Sequence, residues 1–187
     1  MDKTFKTACF SLTMNTAFSA YYLVFSMIDG SWWLLSVGSY YLILSIVRFV
    51  VLQEKSKEHF VTGFTGCMLM ALSIPLIGTV ILSVMRDRGR KFHIIVMIAI
   101  AAYTFAKITI AAINLIKSRR STSWVLKTLR NISFAEAFVS VFALQRSMLV
   151  SFEGMSETEI VIMNAIFGSV VCVIVFLLGL NLIRKRK

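Results

Sequence analysis

The sequence predicts an all-α fold, a polytopic integral membrane helix bundle of six transmembrane helices, with residues 1–187 forming a single membrane domain. Three observations carry that prediction. Hydrophobic residues make up 58% of the chain, more apolar surface than a soluble domain of this length can use. They gather into six runs, roughly 7–28, 31–52, 61–85, 92–116, 131–152 and 159–183, each near the ~20 residues with which a helix crosses a bilayer. No polar interval between the runs is long enough to fold as a domain beside them. Because the runs are continuous and do not alternate, they read as helices and not as the strands of a membrane barrel.

The first run follows MDKTFK, a charged start that resembles the head of a secretory leader. The run itself is long, is interrupted by Ser11, Thr13, Asn15 and Thr16, and leads to no cleavage site, so it is expected to be an uncleaved first span. Asp29-Gly30 then joins runs one and two in a tight helical hairpin, and Trp32 and Trp33 suit the water interface at that turn. The third run holds Pro75, the only proline. It cannot donate to the carbonyl of Ala71, so a kink is expected there, softened further by Gly78. Broken helices of this kind line binding sites in transporters, and proline kinks serve plain packing equally well. The fourth run, from Ile94 to Leu115, has a lysine, Lys107, near its middle. The fifth carries Glu136, Gln145 and Arg146, and the stretch 121–130 before it suits an amphipathic surface helix. Arg146 is expected to snorkel outward toward Glu153, Glu157 and Glu159. Aligning 7–85 with 92–183 gives no internal sequence repeat.

Charge sets the orientation. With the N-terminus inside, most of the 20 lysines and arginines fall on the cytoplasmic side: Lys3, Lys6, Lys55, Lys57, the basic residues between Lys117 and Arg130, and Arg184 through Lys187. Arg86, Arg88, Arg90 and Lys91 fall outside, as a local violation. Both termini are therefore expected in the cytoplasm of a plasma-membrane protein. The net charge of +11 reads as topology signal and contact with anionic lipids at the cytoplasmic face, and no basic stripe interleaved with aromatics points to nucleic acid. Cys9, Cys67 and Cys172 lie inside apolar runs without a C-x-x-C pair, and read as small hydrophobes.

Polar residues within the runs recur at helical spacing: Ser11, Asn15, Ser19 and Tyr22; Gly38, Tyr41, Ser45 and Arg48; Tyr103, Lys107, Ala111 and Asn114; Ser133, Glu136, Ser140 and Ser147; Asn164, Gly168 and Cys172. Each set shares one helix face. Small and hydroxylated residues on one face are the usual means by which membrane helices pack. Ionisable residues in apolar spans are costly and point to function. Counting inward from each cytoplasmic end puts Asn15, Arg48, Lys107 and Glu136 in the same half of the bilayer. Arg48, near its helix end, also has the option of snorkelling to the headgroups.

The candidate solute-binding set is Asn15, Tyr41, Arg48, Tyr103, Lys107, Asn114 and Glu136. One carboxylate facing two cations favours an anionic or carboxylate-bearing solute, or a lysine that gives up its proton. No catalytic motif is present: G-x-S-x-G, H-E-x-x-H, paired intramembrane aspartates and Gly-rich phosphate loops are all missing. His59 and His93 lie at opposite span ends, so neither a metal site nor a cofactor is expected. The expectation is a small permease or transporter subunit, not an enzyme, working as a homo-oligomer or beside a partner subunit. The competing expectation is an assembly or regulatory subunit whose polar faces serve packing alone.

Overall fold

The computed structural model describes residues 3–53, 58–84, 94–119, 124–151 and 156–184. They form six α-helices: α1 (Lys3–Asp29), α2 (Trp32–Gln53), α3 (Glu58–Val84), α4 (Ile94–Arg119), α5 (Trp124–Ser151) and α6 (Glu157–Arg184). Five of these, α2 to α6, are long and apolar enough to cross a membrane. In α1 the serines, threonines and Asn15 dilute the average. The α1–α2 turn is set by Gly30 at φ 63°, a left-handed conformation that costs glycine little and other residues more. At the start of α6, the Ser156 hydroxyl accepts from the Glu159 amide at 3.3 Å while the Glu159 carboxylate accepts from the Ser156 amide at 2.9 Å. This reciprocal cap satisfies donors that the first helical turn leaves without partners.

One sequence expectation is corrected here. The stretch before run five is no separate surface helix, since α5 runs unbroken from Trp124 to Ser151. Thr128, Leu129 and Asn131 are buried and extend the inward face of α5 by more than a turn, so the chain has no reason to bend away. α3 continues as a helix through Pro75. The basic loop 86–91 and Glu153 lie outside the described residues.

The helices form two layers of three. Within one layer α1 packs on α2 and α2 on α3; within the other, α4 packs on α5 and α5 on α6. Across the layers α1 meets α4, α2 meets α5 and α3 meets α6. Each cross-layer pair is antiparallel. Ser11 and Asn15 meet Lys107 while Phe18 meets Tyr103; Trp33 meets Arg146 while Arg48 meets Glu136; Gly66 meets Gly179 while Val80 meets Gly168. The second three helices thus repeat the arrangement of the first three, turned upside down. One diagonal contact, α3 on α5, stands outside that pattern. No residue pattern gives this repeat away, because only the packing plan is shared.

Buried faces match the helical spacings read from sequence. Ser11, Asn15 and Ser19 are 0% exposed, and Arg48, Lys107 and Asn164 are 1% exposed. The outward faces are apolar, with Phe49, Ile98, Phe105, Val173 and Leu177 all exposed. α2 and α5, in the middle of their layers, are the most enclosed.

Candidate functional site

Glu136 projects from α5 into the junction of α1, α2, α4 and α5 and is fully buried. Its Oε2 accepts from the Arg48 guanidinium (Nη2) at 2.9 Å and from the Lys107 ammonium at 2.9 Å. The Ser11 hydroxyl adds a longer contact to Oε2 at 3.4 Å, and the Asn15 amide donates to Oε1 at 2.7 Å. Every oxygen of the carboxylate is therefore satisfied from helices other than its own. A buried carboxylate needs this, since the cost of taking it out of water is offset only by charges and donors held in place.

Lys107 is as fully committed. Besides Glu136, its ammonium donates to the Ser11 hydroxyl at 3.2 Å and to the Asn15 carbonyl oxygen, which accounts for all three of its protons. The ring of Tyr103, one turn back on α4, lies 5.3 Å away, within the range of a cation–π contact. The Tyr103 hydroxyl donates to the Asn15 carbonyl oxygen at 3.0 Å. Asn15 thus joins α1 to α4 and α5 through both ends of one amide. On the other side Arg48 Nη2 also donates to Ser133 at 3.1 Å, and Ser133 accepts from Asn114 at 2.7 Å. Tyr41 and Ser140 share a hydrogen bond at 2.8 Å, and the Ser140 hydroxyl returns to the Glu136 carbonyl at 2.7 Å.

All seven residues of the candidate set, Asn15, Tyr41, Arg48, Tyr103, Lys107, Asn114 and Glu136, fall within this one network. Ser11, Ser133 and Ser140 belong to it as well. Spacing had put these three on the right faces, but a serine's face does not distinguish a network member from a packing residue. Thr104 is a further addition, with a hydroxyl that reaches the Ser140 carbonyl at 3.3 Å. Asn164, Gly168 and Cys172 line the buried face of α6, and among the described residues no hydrogen bond ties them to the network.

Arg48 lies inward with the rest of the candidate set, and the snorkelling expected of Arg146 is corrected. Arg48 is 1% exposed and reaches inward, because Glu136 lies within its length and supplies the counter-charge. Arg146 is buried too, with its guanidinium carbon 4.4 Å from the centroid of the Trp33 ring. Trp33 itself is buried, so only Trp32 has the exposure of an interface residue. Pro75 lies apart from the network. With Ser36, Tyr40, Thr79 and Phe142 it lines a small apolar cavity of about 10 Å³ where α2, α3 and α5 meet.

Arg48 and Lys107 against Glu136 leave one positive charge uncompensated within the network. Helices from both layers close this network around the Glu136 carboxylate. Among the described residues no cluster of histidine, cysteine and carboxylate side chains is placed to hold a metal. No protein-family model and no curated protein matches this chain, so the site is interpreted from its own geometry.

Proposed function

We propose that the chain is a six-span integral membrane protein of the plasma membrane, with both termini cytoplasmic and anionic lipid at its basic loops. In this reading it is a small permease or transporter subunit for a small anionic solute, without catalytic activity of its own, assembled with further copies or a partner subunit. α1 serves as the sixth span despite its composition. Its polar residues turn inward, and the outward Thr13 and Thr16 return their hydroxyls to the carbonyls of Cys9 and Leu12 at 3.1 and 3.0 Å, which lowers their cost in lipid. The inverted repeat of three plus three helices supports the reading, since transporters of that plan bind their solutes at the repeat interface near mid-membrane. The single observation that carries it is the network at that interface, with two cations and one carboxylate. A pure packing device gains nothing from a surplus buried charge.

The competing reading, an assembly or regulatory subunit, is favoured by the enclosure of Lys107 at 1% exposure. The two part company over Lys107→Met. Methionine has similar length and Arg48 still pairs with Glu136, so a purely structural lysine tolerates the change at some cost in stability. The permease reading expects a stably inserted protein that fails to complement a deletion strain, with membrane abundance measured alongside. Full complementation puts the packing subunit in front. Orientation has its own check: a cysteine at Glu157 reacts with an impermeant reagent from outside, and tags at both termini do not.

A further inference from the structure

Building on the reading of the network as a solute site, we propose that Lys107 is a proton-binding site. The enclosed network on its own holds Lys107 as a neutral amine, and a proton joins it when water reaches Nζ. Arg48, Lys107 and Glu136 are 1%, 1% and 0% exposed, and Glu136 is the only buried carboxylate among the described side chains. With all three ionised, one positive charge is left over among apolar helices. A buried charge without a counter-charge is costly enough that the group neutralises where it can. Arg48 has no such option, because a guanidinium keeps its proton in proteins. A proton on Glu136 would add to the surplus. Lys107 alone can remove it, by giving its proton to water, and the network then sums to zero.

The hydrogen bonds fit the amine as well as they fit the ammonium. A neutral amine has two hydrogens and one lone pair. Glu136 Oε2, 2.9 Å from Nζ, and Asn15 Oδ1 are acceptors only, so they take the two hydrogens. The third neighbour, the Ser11 hydroxyl at 3.2 Å, either accepts or donates. It lies nearer to Nζ than to Glu136 Oε2, which is 3.4 Å away, and can turn its hydrogen to the lone pair. Glu136 keeps Arg48, Lys107 and Asn15 in both states. One rotation of the Ser11 hydroxyl therefore separates two fully bonded networks that differ by a proton. The groups around Nζ are Ser11 and Asn15 from α1, Glu136 from α5 with Arg48 of α2 behind it, and the Tyr103 ring of α4 itself, against which Tyr41 of α2 packs. Of these only Arg48 and Glu136 carry charge. One proton and one monoanion entering together leave the sum at zero, so under the solute reading the proton is the coupling ion.

The test counts protons. Purified full-length protein in detergent micelles is denatured at about pH 8, in weak buffer with an indicator dye, beside Lys107→Met. A lysine in water is protonated at that pH, so one held neutral in the folded protein takes up a proton on unfolding. The expected result is about one proton more per chain taken up by the unaltered protein than by Lys107→Met. Equal uptake overturns the proton site. Should Lys107→Met fail to fold, nitrogen-15 spectra of the unaltered folded protein, labelled at lysine Nζ, decide alone. One signal in the amine range sustains the site, and ammonium signals throughout overturn it. Equal uptake together with loss of cellular role in Lys107→Met overturns the proton site and leaves the solute-site reading standing. Extra uptake together with full complementation by Lys107→Met sustains the proton site and removes the solute-passage reading.

Discussion

The two ends of the double layer close in opposite ways. At the α3–α6 seam, backbones touch: a Cβ on Gly66 would lie 3.0 Å from the Gly179 carbonyl oxygen, and one on Gly179 would lie 2.9 Å from the Gly66 carbonyl oxygen. At the α1–α4 seam the backbones stand further apart, and Ser11, Asn15, Phe18, Tyr103 and Lys107 fill the gap with side chains. Glycine against glycine gives close dispersion contact with no rotamer to change. Polar side chains give specific bonds that open by rotation, at the cost of unmatched charge while they are open. The two seams therefore differ in kind, one closed by backbone contact and the other by side chains, and the charged network lies at the second.

The largest expected effect comes from breaking the polar seam at its centre. Glu136→Gln leaves Arg48 and Lys107 facing each other without a counter-charge, a change expected to cost ~3–5 kcal/mol. Adding Lys107→Met or Arg48→Met should return part of that loss, since removing both members of a buried pair costs less than removing one. Thermal unfolding in micelles and the yield of folded protein both report it. Double variants no better than the single would mean that neither pair stabilises Glu136.

The glycine seam should respond less, and only where backbones meet. Gly179→Ala puts a Cβ 2.8 Å from Met70 Cγ and 2.9 Å from the Gly66 carbonyl oxygen, and the backbone cannot give way as a side chain would. An overpacking cost of ~1–3 kcal/mol is expected. Gly78→Ala is the internal control. It lies in the same α3, with nothing within 4 Å of the added Cβ, and should be neutral or stabilising by up to ~1 kcal/mol. If the two alanines behave alike, helix propensity and not contact at the seam governs α3 and α6.

The contrast between the seams was only half legible in the sequence. Helical spacing put Asn15, Tyr41, Arg48, Tyr103, Lys107, Asn114 and Glu136 on inward faces, because a charged or amide group in an apolar run has few other places to go. Depth counting put Arg48, Lys107 and Glu136 in the same half of the bilayer, since helix rise is fixed. Which helices become neighbours is a property of the whole packing, so the two-layer repeat could not be read from any one run. Snorkelling was the wrong expectation for Arg146 for the same reason. The length of an arginine reaches outward to water or inward to Glu136 or Trp33, and only the neighbours decide which. Gly66 and Gly179 stood in apolar runs with no signal of their own, as a glycine's partner is invisible until two helices are placed together.

The smallest effect sharpens the comparison within one turn of α2. Tyr40 and Tyr41 are adjacent and both buried, at 2% and 0% exposure, and their hydroxyls have different surroundings. Tyr41 turns to the polar seam, where its hydroxyl is bonded to Ser140 at 2.8 Å. Tyr40 turns toward α3 and the small cavity beside Pro75 and Thr79, where its hydroxyl has no partner among the described residues. Phenylalanine removes the same atom from each, so differences in packing and helix propensity largely cancel between the two variants. Tyr41→Phe should cost ~1 kcal/mol, the net value of a buried hydrogen bond. Tyr40→Phe removes a buried polar group that gains nothing, so its midpoint should hold or rise. A cost at Tyr40 equal to that at Tyr41 would show that its hydroxyl holds a bound water in the cavity, and that the α3 side is wetter than its apolar lining implies.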